Sequence, residues 1–413
     1  MGRYAHEDIT EIDGFDTLHT PTGIIKDLED KLAGIWKADE AFLSVNGATA
    51  MIEAAVCAAM RYHPEGKILL ASNSHLSAWH GVEMSGAMHV VIEPEYRDGV
   101  PFAMDIDPDK VECALDGDPD IRAVVITSPT YEGIVSDTAA IYEITKKHDC
   151  TLIIDCAHGA HLGTDSYWGP DMCGDLVIKS THKTLSSPTQ TAIMLKYSDR
   201  VATEDIRHYI DIFESTSPSY LLMAGLSEMA ELLGREGCED EWINGVKASA
   251  NMLKGLKNIR CFSCKGSDPS KIVLLCKGKE VSRILREEYS IEVEAALDTH
   301  LIAMTGIGDN EDTLIRFADA VLKIDNDHPE LAPDDAMAPV TYGHTSDIPL
   351  GKTARMRHET IPAASSEGRI AAQFIYSYPP GIPFLIPGDV ISQDMADSLP
   401  VKYGTDVIRV IEG

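Results

Sequence analysis

Short apolar runs recur between residues 67 and 197: "KILLAS" (67–72), "HVVIEP" (89–94), "AVVITSP" (123–129), "TLIIDCA" (151–157), "LVIKS" (176–180) and "TAIMLK" (191–196). They are rich in Val and Ile and show no alternation of apolar and polar positions, which predicts strands buried on both faces. Helical patterns lie between them, such as "AAIYEITKKHD" (139–149). Another, "ATAMIEAAVCAAMRY" (48–62), follows the turn signal Asn46-Gly47. Strand, helix and strand at this spacing predict βαβ units and a mostly parallel sheet flanked by helices.

The pattern changes from about Glu239. "KIVLLCKG" (271–278), "EVSRILREEY" (280–289), "IEVEAALDTHLIAMT" (291–305) and "NEDTLIRFADAVLKI" (310–324) read as strand, helix, strand and helix. A polar, Pro-rich linker follows at 325–339, and a tail runs from Tyr342. Within the tail, "YSYPPGIPFLIPGD" (376–389) carries four prolines, which forbid regular helix and impose an extended path. The reading divides the chain into an N-terminal segment (1–40), a large domain (41–238), a smaller α/β domain (239–330) and a C-terminal region (331–413). No internal repeat or low-complexity segment appears.

Composition narrows the function. Against 66 acidic residues stand 35 basic ones, a net charge of −31 over 413 residues. A nucleic-acid partner needs a basic surface and is disfavoured, whereas a cationic substrate would be mildly steered inward. No apolar run approaches the roughly 18 residues of a membrane span. The opening "MGRYAHEDITEIDG" has no signal core, so a cytoplasmic enzyme is expected. The nine cysteines are odd in number and scattered, and Cys261-Phe-Ser-Cys264 has no companion pair. Neither a disulfide framework nor a bound metal is expected.

In an open α/β sheet the ligand site lies beyond the carboxyl ends of the strands. Several polar clusters fall there. "GDLVIKSTHKTLSSPTQTAIML" (174–195) sets Ser180, His182 and Lys183 just past one strand; "IIDCAHGAH" (153–161) sets Asp155, Ala157, His158 and His161 past another. "ASNSHLSAWHG" places His75 and "ITSPTYEG" places Ser128 and Thr130 in the same way, while Gly47-Ala48-Thr49 opens a helix whose free N–H groups and dipole suit a phosphate. A phosphate cradle, an aspartate, a flat imidazole and a lysine are what pyridoxal 5'-phosphate requires. The lysine forms a Schiff base with the aldehyde, and the aspartate keeps the pyridine nitrogen protonated.

With these motifs the chain resembles the Orn/Lys/Arg decarboxylases of fold type I, the aspartate-aminotransferase-like fold, and most of all their compact bacterial arginine or lysine decarboxylase branch. The resemblance runs from "DITEIDGFDTLHTPTGIIKDLE" through "FLSVNGATAMIEA", "SNSHLSAWHG", "IIDCAHGAHLG", "IKSTHKTLSSPTQTA" and "STSPSYLLMAGLS" to "RHETIPAASSEGRIAAQFIYSYPPGIPFLIPGD". It implies a large domain with a mostly parallel sheet and a smaller C-terminal α/β domain. It implies a carboxy-lyase acting on arginine, lysine or ornithine. Lys183 would be the Schiff-base lysine and Asp155 the pyridine partner. Ala48 and Thr49 would hold the phosphate, aided by Ser180 and His182. His75 would stack on the ring, His158 would lie near its phenolic oxygen, and Lys183 or His182 would return a proton to Cα. Thr216 or Ser217 would reach the phosphate of a neighbouring subunit, implying a homodimer with interfacial sites. Asp389 and Glu359 are candidates for a substrate's distal cation, with a role as exposed surface carboxylates the favoured alternative. Family members carry a Pro-Gly-His-Lys segment upstream of "DITEIDG", which this sequence starts too late to include. The usual His-Lys-Ser reads His75-Leu76-Ser77, and the usual Glu after the last Pro-Gly is Asp389. The expectation is therefore a complete cofactor side and an altered substrate side. Two rivals keep the cofactor: an aminotransferase or other lyase, whose carboxylate clamp would be Arg355, Arg357 or Arg369, and a cofactor-binding subunit of a larger complex.

Overall fold

The computed structural model describes residues 8–12, 14–334, 341 and 343–412. Residues 1–7, the linker residues 335–340 and Tyr342, all read above, lie outside these. The principal sheet has seven strands: β1 (Glu40–Ser44), β2 (Lys67–Ala71), β3 (Met88–Ile92), β4 (Ile121–Thr127), β5 (Thr151–Asp155), β6 (Leu176–Lys179) and β7 (Ala192–Lys196). Their order is β1-β7-β6-β5-β4-β2-β3. From β3 to β6 every pairing is parallel; β7 runs antiparallel to both β6 and β1. All six expected strands are present. β1 is an addition: its run Glu40–Ser44, just ahead of the Asn46-Gly47 turn, is not among the expected strands.

The absence of alternation has the expected cause. Val124, Ile126, Leu152 and Ile154 enter one hydrophobic cluster, while their neighbours Ala123, Val125, Ile153 and Ile178 enter a second. Both faces are therefore dry, each covered by helices. β3 is the exception: at the sheet edge, Met88, Val90 and Val91 are only half-buried.

A second, antiparallel sheet contains β8 (Arg260–Phe262), β9 (Lys271–Leu275), β10 (Ala295–Ala296) and β11 (His300–Met304) in the order β10-β11-β9-β8. The single strand expected over 291–305 is thus a hairpin. Its polar pair Asp298-Thr299 sits in a tight turn closed by the Leu297 N–H donating to the His300 carbonyl at 2.8 Å. One face of this sheet packs beneath the helices Gly278–Tyr289 and Glu311–Asp327. The other packs Val273, Leu275 and Ile302 against Phe102, Met104 and Tyr131 from the loops of the principal sheet. That contact brings the two sheets to one cavity. The C-terminal region forms β12 (His358–Pro362) with β15 (Val407–Ile411), and β13 (Ile375–Tyr376) with β14 (Pro383–Leu385). Its Pro-rich stretch is extended apart from turns at 378–380 and 387–388, and Ile386 plugs into the core of the principal sheet.

Candidate active site

A cavity of roughly 280 Å³ opens where β2, β4, β5 and β6 end. Asp155 is the last residue of β5, in register between Thr127 of β4 and Ile178 of β6. It is only 3% exposed, and its Oδ1 accepts the Ala157 N–H at 3.1 Å. Lys183 rides the single helical turn Thr181–Thr184 that follows β6 at once. Its Nζ lies 2.6 Å from His158 Nε2. Burial lowers the ammonium pKa of Lys183, against the opposing pull of Asp155 and Glu294. A lysine amine that sheds its proton more readily is the nucleophile that imine chemistry needs.

Two helix starts face the same cavity. At the first, Gly47, Ala48 and Thr49 open the helix Gly47–Met60, and no side chain caps them. The Asn46 amide is turned aside, donating to the Phe213 carbonyl at 3.0 Å. Gly47 has φ +77°, which a residue with a Cβ rarely adopts. At the second, His75 caps the helix Leu76–Ser85. Its Nδ1 accepts the Ser77 N–H at 3.2 Å, so the neutral ring carries its proton on Nε2. Burial lowers the His75 pKa, favouring that neutral form. The ring is backed by the Pro-rich turn. A Cβ on Gly381 would stand 3.0 Å from His75 Cδ2 and Nε2, and the Gly381 carbonyl accepts the Leu76 N–H at 2.9 Å.

His182 donates from Nδ1 to the Thr191 carbonyl at 2.8 Å, leaving Nε2 as its acceptor nitrogen. Burial pushes its pKa down. Ser180 and Thr130 also line the cavity, the latter accepting the Ile134 N–H at 3.1 Å. Asn73 Oδ1 and Thr127 Oγ1 are buried in the wall without a hydrogen-bond partner. Such orphans are costly unless a ligand satisfies them.

Not every expected residue gathers here. Ser128 is a correction: its hydroxyl turns away from the cavity, accepting the Ser136 N–H at 3.1 Å and meeting Met172 Sδ at 3.5 Å. Thr216 and Ser217 are exposed on the loop between the helices Thr203–Phe213 and Tyr220–Leu233, outside this chain's own cavity. Asp389 is another correction. Fully buried, it accepts from His344 Nδ1 at 2.9 Å, the Thr345 N–H at 2.8 Å and the Ile386 N–H at 3.0 Å, so it ties down backbone. Glu359 is exposed and paired with Arg369 at 2.7 Å. Arg355 and Arg357 are exposed too, and among the described lining residues there is no arginine.

The carboxylates that do line the cavity are Glu132 and Glu294 beside Asp155. Glu132 has a side chain 13% exposed, with Oε1 3.8 Å from His300 Nε2 and Oε2 accepting from Thr130 Oγ1 at 3.3 Å. Glu294 Oε1 accepts the Tyr131 hydroxyl at 3.0 Å. The sequence reading passed over both. Glu294 alternates with the exposed Glu292 in Ile291-Glu292-Val293-Glu294, so no local signal singles it out; Glu132 stands two residues past Thr130 in the motif "ITSPTYEG". The wall residues suit a flat phosphorylated aldehyde: uncapped N–H groups for an anion, a backed imidazole for a ring face, a buried carboxylate, and an amine of lowered basicity.

A family model described as the Orn/Lys/Arg decarboxylase major domain matches residues 3–274, and the C-terminal domain model of the same family matches residues 328–403. The arginine decarboxylase of Bacillus subtilis (strain 168) is 29% identical over 440 aligned residues, spanning 98% of this chain and 89% of that protein. Lysine decarboxylase A from Pseudomonas aeruginosa superposes with a TM-score of 0.81 at 16% identity, covering 98% of this chain and 73% of its own. The pyridoxamine-pyruvate aminotransferase of Mesorhizobium loti does so with a TM-score of 0.59 at 16% identity, covering 79% and 96%. These likenesses show the fold, the aminotransferase-like fold type I expected from the sequence.

Proposed function

The chain belongs to the Orn/Lys/Arg decarboxylase family and is a carboxy-lyase, and from that premise we propose that it decarboxylates a basic amino acid, arginine first, using pyridoxal 5'-phosphate held at Lys183 and Asp155. One observation carries this reading. A lysine of lowered basicity and a buried aspartate share a cavity with two further carboxylates, Glu132 and Glu294, and with no arginine among its described lining residues. A substrate with a distal cation finds anionic partners there. Its α-carboxylate finds no guanidinium, and a carboxylate left without a partner in a partly apolar cavity is costly to hold and favoured to leave as CO2. The name arginine decarboxylase borne by the Bacillus subtilis relative supports arginine.

When bound, pyridoxal phosphate supplies an aldehyde that captures amines and a ring that accepts the electron pair released at Cα. The uncapped N–H groups of Gly47, Ala48 and Thr49 would hold its phosphate, with Ser180 and His182 nearby. Asp155 would keep the ring nitrogen protonated. His75, fixed by Ser77 and Gly381, would give the ring a flat face. Lys183 would present its amine and return a proton from Nζ to Cα; His182 would offer Nε2 as the alternative donor once protonated. Thr216 and Ser217, being exposed, are free to complete the phosphate site of a second copy, in a homodimer.

The test is to load the purified protein with pyridoxal phosphate and offer arginine, lysine, ornithine and leucine, following CO2, amine and keto-acid. CO2 and amine in equal amounts from a basic amino acid are expected. Keto-acid without CO2 would refute decarboxylation. Lys183→Ala should lose both the visible cofactor absorbance and turnover, and an unchanged spectrum would show that another lysine bears the cofactor.

A further inference from the structure

His158 stands between two lysines. Nε2 lies 2.6 Å from Lys183 Nζ, and Nδ1 lies 2.9 Å from Lys271 Nζ. Lys271 begins β9 in the antiparallel sheet and is buried, its stem pressed on Gly133, where a Cβ would approach Lys271 Cγ to 2.7 Å. Tyr131 packs edge-on to the His158 ring at 4.9 Å and shields it. Proton counting constrains this trio. A neutral imidazole has one N–H and one acceptor nitrogen, and an ammonium can only donate. Two lysine ammonium groups would both need an acceptor nitrogen on one ring. Imidazolium is excluded, because a lysine amine is the stronger base. Both contacts therefore exist only when one of the two lysines is a neutral amine.

Resting on the assignment of Lys183 as the imine lysine, we infer that Lys271 is a positioning residue that takes up, through His158, the proton Lys183 must lose before its amine can attack an aldehyde. Lys183 Nζ gives a proton to His158 Nε2 while His158 Nδ1 gives its proton to Lys271 Nζ. Two N–H bonds break and two form, and the net charge of the trio is unchanged. Before transfer Lys183 donates to Nε2 and Nδ1–H donates to Lys271; afterwards every donor and acceptor is reversed. The surroundings allow either state. Asp155, Glu294, His75 and His182 face Lys183; Asp268, Glu294 and Glu132 face Lys271. Burial pushes Lys271 down to about 8 against the pull of Asp268, close enough to neutrality to accept or release a proton. Burial, reinforced by Lys271 and Lys183, holds His158 neutral as a conduit.

The test reads the cofactor-free protein. Competitive acetylation followed by peptide mass spectrometry gives the apparent pKa of Lys183, and the rise of visible absorbance on mixing with pyridoxal phosphate gives the rate of capture. Wild type should titrate below the ordinary lysine value of about 10.4. Both Lys271→Met and His158→Gln should move Lys183 up by about one unit and slow capture about tenfold near neutral pH. Charge repulsion between the lysines would move only the first variant, because the second keeps Lys271. An unchanged Lys183 value in either folded variant overturns the relay. An ordinary value in wild type does so even where a variant does not fold. Lys183→Ala retaining the visible band would instead sink the assignment of Lys183 itself.

Discussion

Glu132→Gln and Glu294→Gln test what the cavity recognises. Each keeps the shape and one acceptor oxygen, so the Thr130 and Tyr131 hydroxyls stay satisfied while one negative charge goes. Glu132 is well shielded, with its side chain 13% exposed, so solvent screens little of its attraction for a guanidinium. A charge-assisted hydrogen bond of that kind contributes about 1.5–3 kcal/mol, or roughly 10- to 150-fold in kcat/KM. Glu294 is half-buried and should sit near the lower end. Because the distal cation is remote from the bond that breaks, the loss should appear in KM with kcat nearly constant. Initial rates of CO2 release with arginine, and with leucine as the uncharged control, measure it. The double variant should lose more than either single one, and the ratio of arginine to leucine should collapse. If both single variants lose less than about threefold with arginine, or lose equally with leucine, these carboxylates do not read the side chain.

Asp155→Ala should weaken pyridoxal phosphate binding about 10- to 150-fold, the range for a lost charged hydrogen bond, in a fluorescence titration of the cofactor-free protein. Near-wild-type affinity would remove its assigned role. Gly381→Ala forces a side chain into φ +82° and against His75, and should cost about 1–2 kcal/mol in urea unfolding with a shifted cofactor spectrum. Neither effect appearing would mean that the turn does not brace the imidazole. Asp389→Ala should cost about 3 kcal/mol or more by stranding His344 and two backbone N–H groups, yet leave KM for arginine alone in protein that remains folded. A raised KM would return that residue to the substrate. Asp268 is pushed up by burial but held below the usual carboxylate value by His161 and Lys271. Its contribution to stability is thus present above the unfolded pKa of about 3.9 and drains away as pH falls through the depressed folded value. Acid unfolding of Asp268→Asn should lack that slope.

The sheet and the gathering of Asp155 and Lys183 at one cavity were legible because they follow from local rules. Runs such as 151–155 and 176–179 are apolar throughout, so both faces had to be covered, and the residues just beyond them had to meet at the strand ends. Asp155, Lys183 and His75 fall together for that reason; Gly47 to Thr49 join them past β1, a strand the apolar pattern does not predict. Glu294, His300 and Lys271 come from a different sheet, and nothing in sequence spacing says that Val273 and Ile302 pack against Phe102 and Tyr131. Of the two acids of the C-terminal tail, Glu359 is the exposed surface carboxylate that was its rival reading, whereas Asp389 fits neither reading, for the complementary reason. Asp389 sits inside a recognisable motif, but whether its oxygens face a cavity or fold back on the backbone is a tertiary fact.

The imidazole that would cover the cofactor owes its backing to Gly381, which comes long after the last strand of the seven-stranded sheet in the sequence. During synthesis the seven-stranded sheet can therefore emerge and fold on the ribosome well before its cofactor site is finished. Nascent chains released short of this turn should carry the reactive amine and the buried acid yet retain cofactor poorly. The pocket is finished only once the chain has grown through this turn.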